Sequence, residues 1–94
     1  LIFDWDDANR NHLVRHGITA AEAEQVLQRD PVELAVEPHD IDGERVRYVG
    51  ETSNGRILII IVTWRGVAVR VITGWDVPHS TKQTYLQHRL ENHG

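Results

Sequence analysis

The 94-residue sequence predicts an α+β fold. Three observations carry this expectation. Two capped helical stretches open the chain, short apolar segments at strand spacing fill its middle, and one polar helical stretch closes it. That order predicts two N-terminal helices, a small twisted antiparallel sheet of three to four strands and a C-terminal helix, with the helices packed on one face of the sheet. One domain over residues 1–94 is expected, because a chain this long buries roughly two-thirds of its unfolded surface and can build one core without staples.

Each element has a local cause. Ile2–Asp4 reads as a short strand that leads into a helix over Asp6–His16. Asp4 and Asp6 are good N-cap types, and acids near a helix start complement its dipole. Gly17 supplies the left-handed position that ends that helix. Thr19 and Glu22 form a capping box, so a second helix starts at once and carries Ala20, Ala23, Val26 and Leu27 on one stripe. Asp30-Pro31 stops it, since proline disfavours helix at the residue before it. Val32–Val36 is the first strand of the meander, and acidic Glu37–Glu44, with Pro38 and Gly43, reads as a loop. Arg45–Glu51 alternates as a half-buried strand does. Ser53-Asn54-Gly55 is a hairpin signal. Ile57–Thr63 is continuously apolar and β-branched, which suits the central strand. Trp64-Arg65-Gly66 turns the chain into Val67–Thr73. Thr81–Asn92 reads as the final helix. There are no repeats, linkers or low-complexity stretches.

Composition narrows the function. Cysteine is absent, which fits a reducing compartment. The first residue is Leu rather than Met, which reads as a trimmed start, and no signal-peptide pattern is visible in the residues given. The longest apolar run, Ile57–Val62, is far short of the ~20 residues a membrane helix needs. A soluble protein without a membrane partner is expected. The formal net charge of −4 counts against a large nonspecific nucleic-acid binder. The charge is uneven, however. Between residues 45 and 70, five arginines (Arg45, Arg47, Arg56, Arg65 and Arg70) face the single carboxylate of Glu51, so an anion-seeking face is expected.

The candidate chemistry follows from these positions. In the last strand Val67, Val69, Val71 and Thr73 are expected on one face, and Ala68, Arg70 and Ile72 on the other. Arg70 is then either a core-edge arginine paired with an acid or a phosphate clamp on an open sheet face. Arg47 alternates with Val46 and Tyr48 and is placed on the same face. A guanidinium grips phosphate through two parallel bonds and stabilises charge that develops on it during transfer. Taken singly, Arg45, Arg47, Arg56 and Arg65 are also consistent with ordinary solvated surface. His12 and His16 lie one helical turn apart. Metal binding by the pair is disfavoured, because no third ligand and no HExxH pattern accompany it. His16, at a helix C-terminus, suits general acid–base work or simple capping. Trp5, and Trp64 in part, read as core anchors. No phosphate loop, GxSxG motif or cysteine nucleophile is present, so no cofactor is expected.

Taken together, Phe3-Asp4-Trp5-Asp6, Asn9, His12-Leu13, Arg15-His16-Gly17-Ile18 and Glu22-Ala23 resemble the opening of BrnT-type toxins. Gly55-Arg56, Ile59–Thr63, Arg65-Gly66, Arg70-Val71-Ile72-Thr73 and Tyr85 extend the resemblance over nearly the whole chain. It implies a RelE-like fold and a bacterial, cytoplasmic ribonuclease that blocks translation. It also implies a cognate protein antitoxin, with operator DNA bound only through the toxin–antitoxin complex. The family's basic positions match Arg56, Arg65 and Arg70, and its helix-end histidine matches His16. Two departures stand out: Trp75 occupies a position where the family carries arginine, and no glutamate precedes Tyr85.

Two readings of function remain open on these grounds. The first is a metal-independent endoribonuclease with His16, Arg56 and Arg70 catalytic, and Arg47, Arg65 and Trp75 binding substrate, Trp75 by stacking on a base. The second is a non-catalytic module of the same fold that keeps the antitoxin contact. Direct DNA binding is weaker, since no helix-turn-helix pattern is present.

Overall fold

A computed structural model describes residues 1–39 and 43–93, the side chains of His39, Asn92 and His93 excepted. The elements run β1 (Ile2–Phe3), α1 (Asp7–Arg15), α2 (Ala20–Gln28), β2 (Val32–His39), β3 (Gly43–Glu51), β4 (Ile57–Arg65), β5 (Ala68–Asp76) and α3 (His79–His93). This is the expected α+β, RelE-like order of helices, sheet and helix.

The helix boundaries follow the capping chemistry. Asp6 caps α1, accepting from Asn9 N while Asn9 Oδ1 accepts from Asp6 N. At the other end Ile18 N donates to Leu13 O and Gly17 N to Val14 O, with Gly17 at φ +74°. That pair of bonds satisfies two carbonyls the helix would otherwise leave open, and only a left-handed residue permits it. Thr19 and Glu22 close the expected capping box at the start of α2. After α2, Asp30 rather than a glycine takes the left-handed turn, at φ 56°.

The sheet has five strands in the order β1-β5-β4-β3-β2. Expectation and structure differ in three places. First, β1 pairs with β5 in parallel, Ile2 opposite Ala68 and Phe3 opposite Val69, so the sheet is mixed. Second, the acidic stretch read as a loop is largely strand: Glu37–His39 end β2 and Gly43–Glu44 begin β3. The remainder of that stretch, residues 40–42, lies outside the described residues. Third, the last hairpin turns at Gly66-Val67, and β5 continues to Asp76.

Both faces of the sheet are covered, rather than one. Alternation along β4 sends Leu58, Ile60 and Val62 to the face under α1 and α2. There they pack with Val46, Val69 and Val71 against Leu13, Ile18, Ala23, Val26 and Leu27. Ile57, Ile59 and Ile61 point the other way and, with Val49, pack against Tyr85 of α3. The continuous apolar run of β4 follows from this double burial. Trp5 joins the first core, and its indole Nε1 donates to Glu24 Oε2 at 2.8 Å. Trp64 is not a core anchor: it sits exposed near the end of β4.

A bulge in β5 sets which of its side chains turn toward α3. Ile61 pairs with Thr73 and Val62 with Val71, so Ile72 is an extra residue on β5. An extra residue resets the alternation. Thr73 therefore lies on the α3 side with Ile61, not with Val69 and Val71 as strict alternation required.

Candidate functional site

Cross-strand register lays out the α3 side of the sheet. Thr63 of β4 pairs with Arg70 of β5, while Arg45 of β3 pairs with Glu37 of β2. One step along, Ile61 stands between Thr73 and Arg47, and beyond it Ile59 stands between Trp75 and Val49. Tyr85 covers the Ile59 end. The Arg45 and Arg70 end carries the cations, and two adjoining depressions open there. The first, of about 390 Å³, is lined by Ala8, Asn9, His12, Arg45, Arg70 and Thr73, among others. The second, of about 160 Å³, is lined by Glu37, Arg45, Arg47, Ile61, Thr73 and Trp75. Arg45 and Thr73 line both.

Asn9 holds the first depression together. It is buried, and its Nδ2 donates to Asp4 O and Val71 O, both at 3.0 Å. These two bonds tie the start of α1 to β5. One turn further along α1, His12 Nε2 lies 3.0 Å from Thr73 Oγ1. The His16 ring stands 4.9 Å from that of His12. One imidazole, His12, therefore lines a cleft that contains two arginines, and the second, His16, stands behind it. Among the described residues, no group of three or more His, Cys, Asp or Glu side chains is placed to hold a metal.

Arg70 is well enclosed, its side chain only 14% exposed. It reaches Asp6 Oδ2 at 3.0 Å and Asp4 Oδ1 at 3.6 Å. The backbone bond from Asn9 N, with the Arg70 guanidinium, holds the Asp6 carboxyl below its ordinary range. Arg65 lies nearby and shares Asp4, at 3.5 Å.

Arg56 is not brought to this cleft. Its Nε and Nη2 clasp both oxygens of Asp76, at 3.0 and 2.9 Å. Its Nη1 donates to Gly17 O at 2.7 Å and to Glu22 at 3.0 Å. The guanidinium thus joins the α1–α2 corner to the end of β5. Six residues separate Asp76 from Arg70 along that strand, about 20 Å at strand rise. The clasp lowers the Asp76 carboxyl, and the Thr19 backbone bond followed by Arg56 lowers that of Glu22. In turn Asp76 and Glu22 raise Arg56.

Arg47 and Trp75 meet in the second depression, the guanidinium carbon 5.9 Å from the indole centroid. A long bond of 3.4 Å links Arg47 Nη2 to Glu37 Oε1. Arg47 Nε is buried and has no hydrogen-bond partner among the described residues.

Of the residues singled out from sequence, then, Arg70, Arg47 and Trp75 line the joined clefts. Arg65 touches their rim through Asp4, His16 approaches through His12, and Arg56 stands apart. Sequence reasoning assigned no site role to Asn9, Thr73 or Glu37. Thr73 was hidden by the bulge, and Glu37 by its placement in a loop. His12 was visible in the i, i+4 pairing with His16, and what the sequence could not show was which of the two faces the arginines.

The arrangement fits what is found among known proteins. A family model described as "Ribonuclease toxin, BrnT, of type II toxin-antitoxin system" matches residues 5–74. The match takes in α1 through most of β5 and ends just before Trp75. No curated protein matches the chain. Among solved structures, the Brucella abortus ribonuclease toxin BrnT superposes with a TM-score of 0.58 at 24% identity, covering 84% of this chain and 100% of that one. At that identity the likeness speaks for the fold. With the family pattern spread over both helices and the sheet that carry the cleft, the chain belongs to the BrnT toxin family of type II toxin–antitoxin systems.

Proposed function

We propose that the protein is a metal-independent endoribonuclease toxin, acting in the bacterial cytoplasm and held in check by a cognate protein antitoxin. Operator DNA is reached only through that complex. The observation that carries this reading is His12, backed by the His16 ring, in a cleft that contains Arg45 and Arg70. RNA cleavage by its own 2′-hydroxyl needs two proton transfers. The hydroxyl gives its proton to one imidazole as its oxygen attacks phosphorus. The bond from phosphorus to the 5′-oxygen breaks, and that oxygen takes a proton from the other imidazole. The products are a 2′,3′-cyclic phosphate and a 5′-hydroxyl, with no water or metal consumed. Histidine titrates in the range this exchange requires. Arg70, fixed by Asp4 and Asp6, is positioned to meet charge that builds on the phosphate oxygens.

Purified protein is expected to cut unstructured RNA in EDTA and leave those ends. His12→Gln is expected to lower the rate by about 10²-fold or more, and Arg70→Ala by a similar factor. Arg56→Ala is expected to keep cleavage wherever the variant stays folded. Absence of cleavage by the parent chain, or full activity in a His12→Gln, His16→Gln double variant, would overturn the assignment.

A second reading is favoured by the two carboxylates on Arg70, which offset its charge. In that reading the chain is a non-catalytic module that retains the fold and the antitoxin contact. Tight binding to the antitoxin without any RNA cleavage is its signature.

A further inference from the structure

We infer that the depression between Trp75 and Glu37 is a nucleobase subsite that selects guanine. The inference rests on the ribonucleolytic reading above and specifies the base that lies beside the scissile phosphate. Three observations converge on it. The space is about 160 Å³, a little above the roughly 150 Å³ that encloses a single benzene ring, and as an open depression it lets the second ring of a purine project outward. Its wall carries the Trp75 indole, a surface on which splayed-out bases stack, with the Arg47 guanidinium beside it. Its polar lining is Arg45, Arg47, Thr73 and Glu37, and within it Arg47 and Glu37 stand side by side, joined only by a long bond of 3.4 Å.

That polar pair matches one base. Guanine presents two neighbouring acceptors, O6 and N7, on one edge, which an arginine fork contacts together. On the adjoining edge it presents two neighbouring donors, N1–H and N2–H, which the two oxygens of a carboxylate accept. Adenine, cytosine and uracil each lack at least one of these doublets. Arg47 Nε is a buried donor with no partner among the described residues, and a small turn of the side chain toward a base acceptor would satisfy it. Leaving a buried donor unpaired costs more than a hydrogen bond is worth. Glu37 is 60% exposed, so its second oxygen is open to a ligand. The subsite adjoins the Arg70 and His12 cleft through the shared Arg45 and Thr73. A nucleotide with its base here lays its phosphate toward the imidazole pair.

Guanosine 3′-monophosphate tests the subsite without requiring cleavage. In a Trp64→Phe background, which removes the exposed indole at the end of β4, it is expected to quench tryptophan fluorescence saturably. Adenosine, cytidine and uridine 3′-monophosphates should bind roughly tenfold more weakly or worse. Glu37→Gln swaps one acceptor for a donor at an exposed position and is expected to erase the preference while the fold stays intact. Trp75→Leu is expected to abolish the quenching. Equal binding of all four nucleotides, no binding at all, or a preference that survives Glu37→Gln overturns the subsite. RNA cleavage without base preference leaves the nuclease standing and removes the subsite. Guanosine monophosphate binding without RNA cleavage does the reverse.

Discussion

Arg56 finds its partners far from itself in the chain. The family resemblance marked it as catalytic; in the structure its donors are taken by Asp76, Glu22 and Gly17. Those partners lie 20 to 39 positions away, and no local pattern announces them. Arg56→Ala is expected to cost about 1–2 kcal/mol in urea denaturation, a figure reduced for partial exposure. The loss should depend on pH. Glu22 and Asp76 have folded-state carboxyls below their ordinary values of 4.5 and 3.8. Their contribution is complete above those values and fades as pH falls through the lower folded ones. Arg56→Ala should therefore flatten the acid limb of the stability curve. Part of the slope should survive, because the Thr19 backbone bond still favours ionised Glu22. A limb as steep as the parent's would contradict this account. Asn9 is the converse case: a polar residue on a short helix, buried with its amide bonded to two backbone carbonyls, Asp4 O and Val71 O.

The helices and their ends were legible because capping is local chemistry. Asp6, Gly17, Thr19 and Glu22 act within a few residues of themselves, and each does what its side chain or missing side chain dictates. Strand boundaries were less legible, since pairing partners rather than propensity decide how far β2, β3 and β5 extend. The bulge at Ile72 was invisible for the same reason: whether a strand holds an extra residue depends on its neighbour. Gly74, just past that bulge, marks how closely β5 is packed. A Cβ there would stand 2.8 Å from Ile60 Cδ1 and 2.9 Å from the Ile59 carbonyl oxygen. The isoleucine tip can swing away, but the backbone oxygen cannot. Gly74→Ala is expected to destabilise by about 1–3 kcal/mol in equilibrium unfolding. A neutral result would show that β5 has slack at this point.

For the molecule as a whole, the consequential feature is that α3 crosses to the opposite face from α1 and α2 and covers only part of it. Tyr85 is the anchor, buried among Val49, Ile57, Ile59 and Ile61. Tyr85→Ala is expected to cost about 3–4 kcal/mol. Tyr85→Phe should be near neutral, because the hydroxyl lies 3.5 Å from Glu51, the weak limit of a hydrogen bond. Comparable losses from the two substitutions would assign the anchor to its hydroxyl rather than its ring. The sequence already settled the order of elements, the capped helix ends, the apolar central strand and the excess of arginine in the middle of the chain. These properties arise from periodicity, capping and composition, which act over a few residues. The parallel docking of β1, the side on which α3 packs, the turn of Thr73 and the sorting of arginines into Arg56 on one side and Arg45, Arg47 and Arg70 on the other were fixed only once the strands paired. Each joins residues tens of positions apart, and a side chain's charge reports nothing about the carboxylate it will meet.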